Sequence, residues 1–203
     1  MKNTWIGIFA IVLLIVGCKS ATENQAEVRK TDYLHFNKDI GWRINVRVGF
    51  LVNNPEEIYE NNKAGIEITE NATGQKMDTS FIQNIFGFQL DSSNLFQSIV
   101  AESELDDFNE WRASNNATKR LFYLLYEEQG VKIDTTATTV ETIGGIEFQT
   151  YSLRLFGQND EVLMHQIFYS ALISGNDFSV NIVGDSEKNM DKVKAVWQKS
   201  KFK

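Results

Sequence analysis

Few residues in this 203-residue chain combine a type and a spacing that could do chemistry. Cys18 is the one thiol. His35 and His165 are the two histidines, and neither has a second His or a Cys at metal-ligand spacing. His165 lies between Met164 and Gln166 in a run that reads as a strand, so its expected role is structural. The dense carboxylate group is Glu102, Glu104, Asp106, Asp107 and Glu110. A calcium loop needs regularly spaced oxygen donors and a glycine turn, and this stretch has neither. Carboxylates in that density fit the start of a helix, where they face the positive end of its dipole. Glu127-Glu128 reads as a solvated pair in the same way. A Gly-x-Ser-x-Gly elbow, a Walker loop and a Gly-x-Gly-x-x-Gly turn are all missing from the sequence, and Ile143-Gly144-Gly145 reads as a turn, not a phosphate cradle. No residue is assigned a catalytic, cofactor-binding or metal-binding role.

The thiol has a different explanation. Met1-Lys2 is followed by an apolar run, Trp5–Val16, broken only by Gly7, and then by Gly17-Cys18. The run is short for a membrane-spanning helix and ends in a small residue, which is the pattern of an export signal. Leu14-Ile15-Val16-Gly17-Cys18 resembles the lipobox of bacterial lipoproteins. That resemblance implies a signal peptide over residues 1–17, cleavage before Cys18, and acyl chains on Cys18. It also removes the only thiol from the folded part of the chain. Lys19–Asp32 is polar without an apolar period and reads as a flexible tether, at most about 45 Å long when extended. Lipoproteins retained in an inner membrane often carry Asp after the Cys. Lys19 stands there instead, and only Glu23 lies close enough to form an acidic export signal. The expected location is therefore the bacterial cell envelope, lipid-anchored in the outer membrane and facing the periplasm. A net charge of −7 disfavours nucleic acid as a partner.

Residues 33–203 read as a single domain, and 42% hydrophobic residues supply a core for it. Trp42, Ile44, Val46 and Val48 alternate with Arg43, Asn45 and Arg47, which predicts a half-buried strand. Asn54 caps a helix whose first turn is Pro55-Glu56-Glu57. Ala64–Glu70 and Phe81–Leu90 read as strands. Leu105, Phe108 and Trp111 open a helical period, and Ala117, Leu121, Leu124 and Leu125 continue one that ends at Gly130. Ser114-Asn115-Asn116 separates two helices or kinks one, and 121–126 is compatible with helix or strand. The triplets at Asn71 and Asn116 match a glycosylation acceptor by chance in a bacterial protein. Lys132–Val140 is Thr-rich and β-prone.

The last third is the most legible. Ile146–Phe156, Val162–Ser174 and Phe178–Val183 are strand candidates joined by Gly/Asn/Asp turns, so they form an antiparallel meander. Phe178, Val180 and Ile182 give one dry face, and Asp177, Ser179 and Asn181 give a wet one. The middle strand is apolar on both faces, which requires a cover on each. Ser186–Ser200 supplies one cover as an amphipathic helix with Met190, Val193, Val196 and Trp197 on its stripe. The expected class is α+β: a central antiparallel sheet with helices packed on it.

That order of elements resembles the PsbP-like fold. The resemblance rests on a Trp-bearing first strand, a Gly-Gly entry to two long strands, and a closing helix that ends Trp-Gln-Lys-Ser-Lys-Phe. It implies a central antiparallel sheet between helical layers, and none of that family's metal ligands can be matched here. Two kinds of function are compatible with these readings. One is a tethered, non-catalytic binding or assembly module whose partner is another envelope protein or an envelope ligand. The other is an envelope hydrolase whose carboxylate pair is assembled only by folding.

Overall fold

A computed structural model describes residues 31–54, 56, 58, 67, 70, 76, 84–105, 107–128 and 130–203, with backbone alone at 84 and 85. The expected signal peptide, Cys18 and most of the tether lie outside the described residues. So do the Asn71 triplet and the first residues of the strand expected from Phe81.

Strands β1 (Tyr33–Asn37) and β2 (Trp42–Val46) form a two-stranded antiparallel ribbon. β3 (Leu51–Val52) then starts the main sheet. Asn54 accepts a hydrogen bond from the Glu56 amide at 3.0 Å, the capping role expected of it. Glu67 and Glu70 are helical, which corrects the strand expected over Ala64–Glu70 at the two positions described there. Ala64, Glu67 and Glu70 are good helix formers at three-residue spacing, and that propensity outweighed the short apolar run.

β4 (Asn84–Asp91) and β5 (Asn94–Glu102) make a hairpin. α1 (Phe108–Glu128) follows as one uninterrupted helix through Ser114-Asn115-Asn116 and through 121–126. Asp107 caps it, accepting from the amides of Asn109 and Glu110 at 2.8 and 3.0 Å. Gly130, at φ +70°, closes it. Its amide donates to Glu127 O while Val131 N donates to Tyr126 O, a Schellman ending. β6 (Lys132–Thr135), β7 (Thr139–Ile143), β8 (Ile146–Phe156), β9 (Val162–Ile173), β10 (Asn176–Gly184) and α2 (Glu187–Trp197) complete the chain. Gly144 and Gly145, at φ +58° and +89°, make the β7–β8 turn, so this Gly pair is a turn as expected. A side chain at Gly144 would also meet Ser200 O at 2.7 Å.

The sheet has eight strands in the order β3-β4-β5-β10-β9-β8-β6, with β7 also pairing β8, and all its pairings are antiparallel. The meander β8-β9-β10 is as the turns predict. Its far edge is joined by β5, a strand the sequence reading did not assign. β10 therefore lies inside the sheet, between β5 and β9.

α2 covers one face. Its stripe of Met190, Val193, Val196 and Trp197 is buried, as expected. Trp197 is fully enclosed, with ring centroids of Phe148, Tyr169 and Phe96 at 5.2, 5.7 and 5.8 Å. The β1–β2 ribbon completes this core through Trp42, whose indole N–H donates to Ser200 Oγ at 3.0 Å. At the margin, the Tyr169 hydroxyl donates to Glu141 at 3.1 Å, and the Gln198 amide reaches the other oxygen of Glu141 at 2.9 Å. Burial and the Glu141 charge raise the Tyr169 pKa, so the phenol stays a donor.

Candidate functional site

The opposite face of the sheet presents two different surfaces to α1. Towards β8 it is apolar: Tyr151, Leu153, Leu155 and Phe168 pack against Phe122 and Tyr126 of α1. Phe168 is stacked by Phe122 at 5.2 Å and by Tyr151 at 4.9 Å. Towards β5 and β10 the same face is polar. Gln97 stands opposite Asn181 in the β5–β10 register, and Ser179 stands opposite Ser170 across β10–β9.

Asp177, Ser179 and Asn181 of β10 were expected to be wet. The structure corrects this at Asp177 and Asn181, which are buried, beside a Gln97 that is only 4% exposed. The reason is position. β10 is an inner strand, and α1 lies over it, so an alternating polar face is enclosed here. The apolar stripe expected on α1 is also rotated. Ala117 and Leu124 face solvent, while Trp111, Thr118, Phe122, Leu125 and Tyr126 face the sheet. Seven-residue steps from Trp111 through Thr118 to Leu125 carry that face, two helical turns at a time.

Between α1 and the polar half of the sheet is a cavity of about 30 Å³ that opens to solvent. Gln97, Asn115, Thr118, Ser170, Ser179 and Asn181 supply its polar lining, and no charged side chain belongs to that lining. Some of these groups are occupied: Asn115 donates to Gln149 at 3.3 Å, and Thr118 to the Ser114 carbonyl at 3.1 Å. Others are not. Nε2 of Gln97 and both polar atoms of Asn181 are buried without a hydrogen-bond partner. A buried amide left unpaired costs free energy, so such groups are rare and call for a role or a solvent partner.

Beyond the cavity, Asp177 and Trp111 meet under the first turns of α1. Burial pushes the Asp177 carboxyl up to about 6, and the nearby Trp111 and Ser179 temper the shift. The two approach without closing a well-formed bond, since Asp177 Oδ1 and Trp111 Nε1 both lack partners. At the other side of the helix, Lys119 donates to the Thr136 carbonyl and lies 5.0 Å from the Tyr151 ring centroid. Its pKa is lowered by burial.

The residues singled out by type are dispersed. His35 stacks on Phe86 at 4.0 Å and edges Trp42 at 5.2 Å, and burial lowers its pKa to about 4, so the ring is neutral at pH 7. His165 sits on β9 of the main sheet opposite Arg154, whereas His35 belongs to the β1–β2 ribbon. Glu102 ends β5, Glu104 follows it, Asp107 caps α1 and Glu110 occupies its first turn, while Asp106 lies outside the described residues. Among the described residues no group of three or more His, Cys, Asp or Glu is placed to hold a metal.

Sequence reasoning missed Gln97, Asn115, Thr118, Ser170 and Asn181 as a group. One signal pointed to them: a β9 apolar on both faces must be covered on both, and its neighbour β10 then shares the second cover.

The elements define an α+β domain with an antiparallel sheet held between two helices, which is the PsbP-like fold. The chain is similar to cyanobacterial PsbP (CyanoP) from Synechocystis sp. PCC 6803, whose solution structure it matches with a TM-score of 0.56 and 11% identity, over 93% of this chain and 99% of that one. No family model and no curated protein matches the sequence.

Proposed function

We propose that this chain is a lipid-anchored binding or assembly module of a bacterial cell envelope, not a catalyst. The observation that carries the reading is the lining of the recess under α1. It offers neutral amides and hydroxyls, two of the amides with unpaired atoms, and no carboxylate, histidine or thiol. Such a lining can orient a ligand by hydrogen bonds but supplies no nucleophile activated by a base. A carboxylate-pair hydrolase would need two acids at one recess. Of the clustered acids before and at the start of α1, Asp107 is engaged instead in capping it.

The tether is the second part of the proposal. Gly17-Cys18 ends the apolar run, and β1 begins at Tyr33, so the segment between them gives the domain reach from a membrane surface. Anchoring confines the domain beside its partner and raises effective concentration, which lets modest affinity suffice. Lys19 after Cys18 supports the outer membrane, with the domain on the periplasmic side. The acidic chain favours a partner with a basic or apolar face.

Cys18→Ser is expected to abolish acylation and signal cleavage, leaving a longer chain that no longer partitions with lipid-modified protein. Unchanged processing and membrane association in this variant would contradict the anchor. Assays of the wild-type protein with glycan, peptide and ester substrates should give no turnover. Turnover that disappears on replacing any one of Glu102, Glu104, Asp107, Glu110, His35 or His165 would establish the hydrolase reading instead.

A further inference from the structure

The recess under α1 has the donors, acceptors and walls to receive one particular kind of group. We propose that it binds a neutral amide, the carboxamide or acetamido group of a larger envelope ligand whose remainder lies outside. This names the ligand chemistry of the binding module proposed above and rests on that reading.

Gln97 presents a free N–H donor, and Asn181, opposite it in register, presents both a free donor and a free acceptor. An amide is their complement: its carbonyl accepts from Gln97 or Asn181, and its N–H donates to Asn181 Oδ1. Because both ends of Asn181 are unpaired, this match does not depend on which way that side chain is turned. A carboxylate would meet no cation in the lining and could donate nothing to Oδ1, and an ammonium would meet no anion. The wall beside these amides is aromatic, made by Phe122, Tyr151 and Phe168, and suits the methyl or methylene next to an amide.

Size sets the same limit. A cavity of about 30 Å³ holds a group of a few atoms or about two waters, not a whole sugar ring or side chain. Retaining two unpaired buried amides costs stability that an apolar pair would not, and a ligand that closes their bonds explains the cost.

The test uses the full chain in detergent micelles and ligand-detected saturation-transfer NMR. The probes are acetamide, N-acetylglucosamine and glycinamide capped with an acetyl group, with acetate and glucose as controls lacking the amide. Acetamide and at least one larger amide should bind in the ~1 mM range, as probes of so few atoms allow. Acetate and glucose should not compete with them. Preference for the sugar would identify a glycan source and preference for the capped peptide a protein source, and either supports the proposal. Asn181→Leu and Gln97→Met should each weaken amide binding by about tenfold or more, the loss of one or two hydrogen bonds. Unfolding midpoints at or above wild type would show that these variants are folded. Signals as strong for acetate as for acetamide, equal binding in the folded variants, or no amide binding at all would overturn the proposal and leave the recess as a water site. Hydrolysis of a bound amide would instead overturn the binding-module reading while leaving the amide preference standing.

Discussion

The two faces of one sheet are built to different rules. Under α2 the sheet presents Phe96, Phe148, Tyr169, Phe178 and their neighbours, and the helix answers with Met190, Val193, Val196 and Trp197. Under α1 the continuous apolar cluster stops at Phe122, and beyond it lie amides, hydroxyls, a buried carboxyl beside Trp111 and a cavity. Burial alone does not separate the faces, since Gln97 and Asn181 are as enclosed as many core residues. What separates them is how much buried polarity is left unpaired among the described residues: one indole N–H, that of Trp197, on the α2 face, against atoms of Gln97, Trp111, Asp177 and Asn181 on the α1 face. An apolar core adds stability, whereas an unsatisfied polar seam subtracts it and is kept for something other than the fold.

The largest expected effect lies on the apolar face. Trp197→Ala should cost roughly 3–5 kcal/mol, because the surroundings cannot collapse into so large a hole. Lys199→Ala, exposed beyond the same helix, should stay within about 0.5 kcal/mol. Urea melts of a fragment from Lys30 onward compare them, and equal midpoints would break the contrast.

Next comes pH, where the two faces carry opposite signs. Asp177 has its pKa raised from 3.8 to about 6, so the folded state prefers the protonated acid. Its contribution is complete below pH 3.8 and is lost as pH rises through 6. Asp177→Asn should therefore gain about 2 kcal/mol relative to wild type at pH 7 and nothing at pH 3.5. His35 is lowered from 6.5 to about 4, so its contribution is complete above 6.5 and lost as pH falls through 4. His35→Phe should weaken that acid loss by about 1–2 kcal/mol, allowing for partial exposure of the ring. Chemical denaturation between pH 3.5 and 8 measures both, and slopes of the same sign would refute the assignment of the two groups.

The sequence made the apolar face readable and the other face only by halves. The stripe of α2, the three strands of the meander and the turns at Gly144-Gly145 and Ser174-Gly175 follow from local chemistry: period 3.6, period 2 and φ > 0 residues. Asp107 and Gly130 likewise mark the ends of α1. The cavity was hidden because Asp177, Ser179 and Asn181 alternate as solvent-facing residues do. What encloses them is a long-range event, the pairing of β5 with β10 and the placement of α1 above both. Asn94–Glu102 gave no warning of that pairing, since a strand of mixed Leu, Phe, Gln and Ser has no clean alternation.

The most direct test of the contrast is the stability of Gln97→Met combined with Asn181→Leu, measured by urea unfolding without ligand. Apolar side chains of similar size remove unpaired buried amides, so the double variant should be more stable than wild type by about 1 kcal/mol or more. A double variant less stable than wild type by a similar amount would mean that these amides hold the fold together, and the division of the sheet into a scaffold face and a binding face would fall.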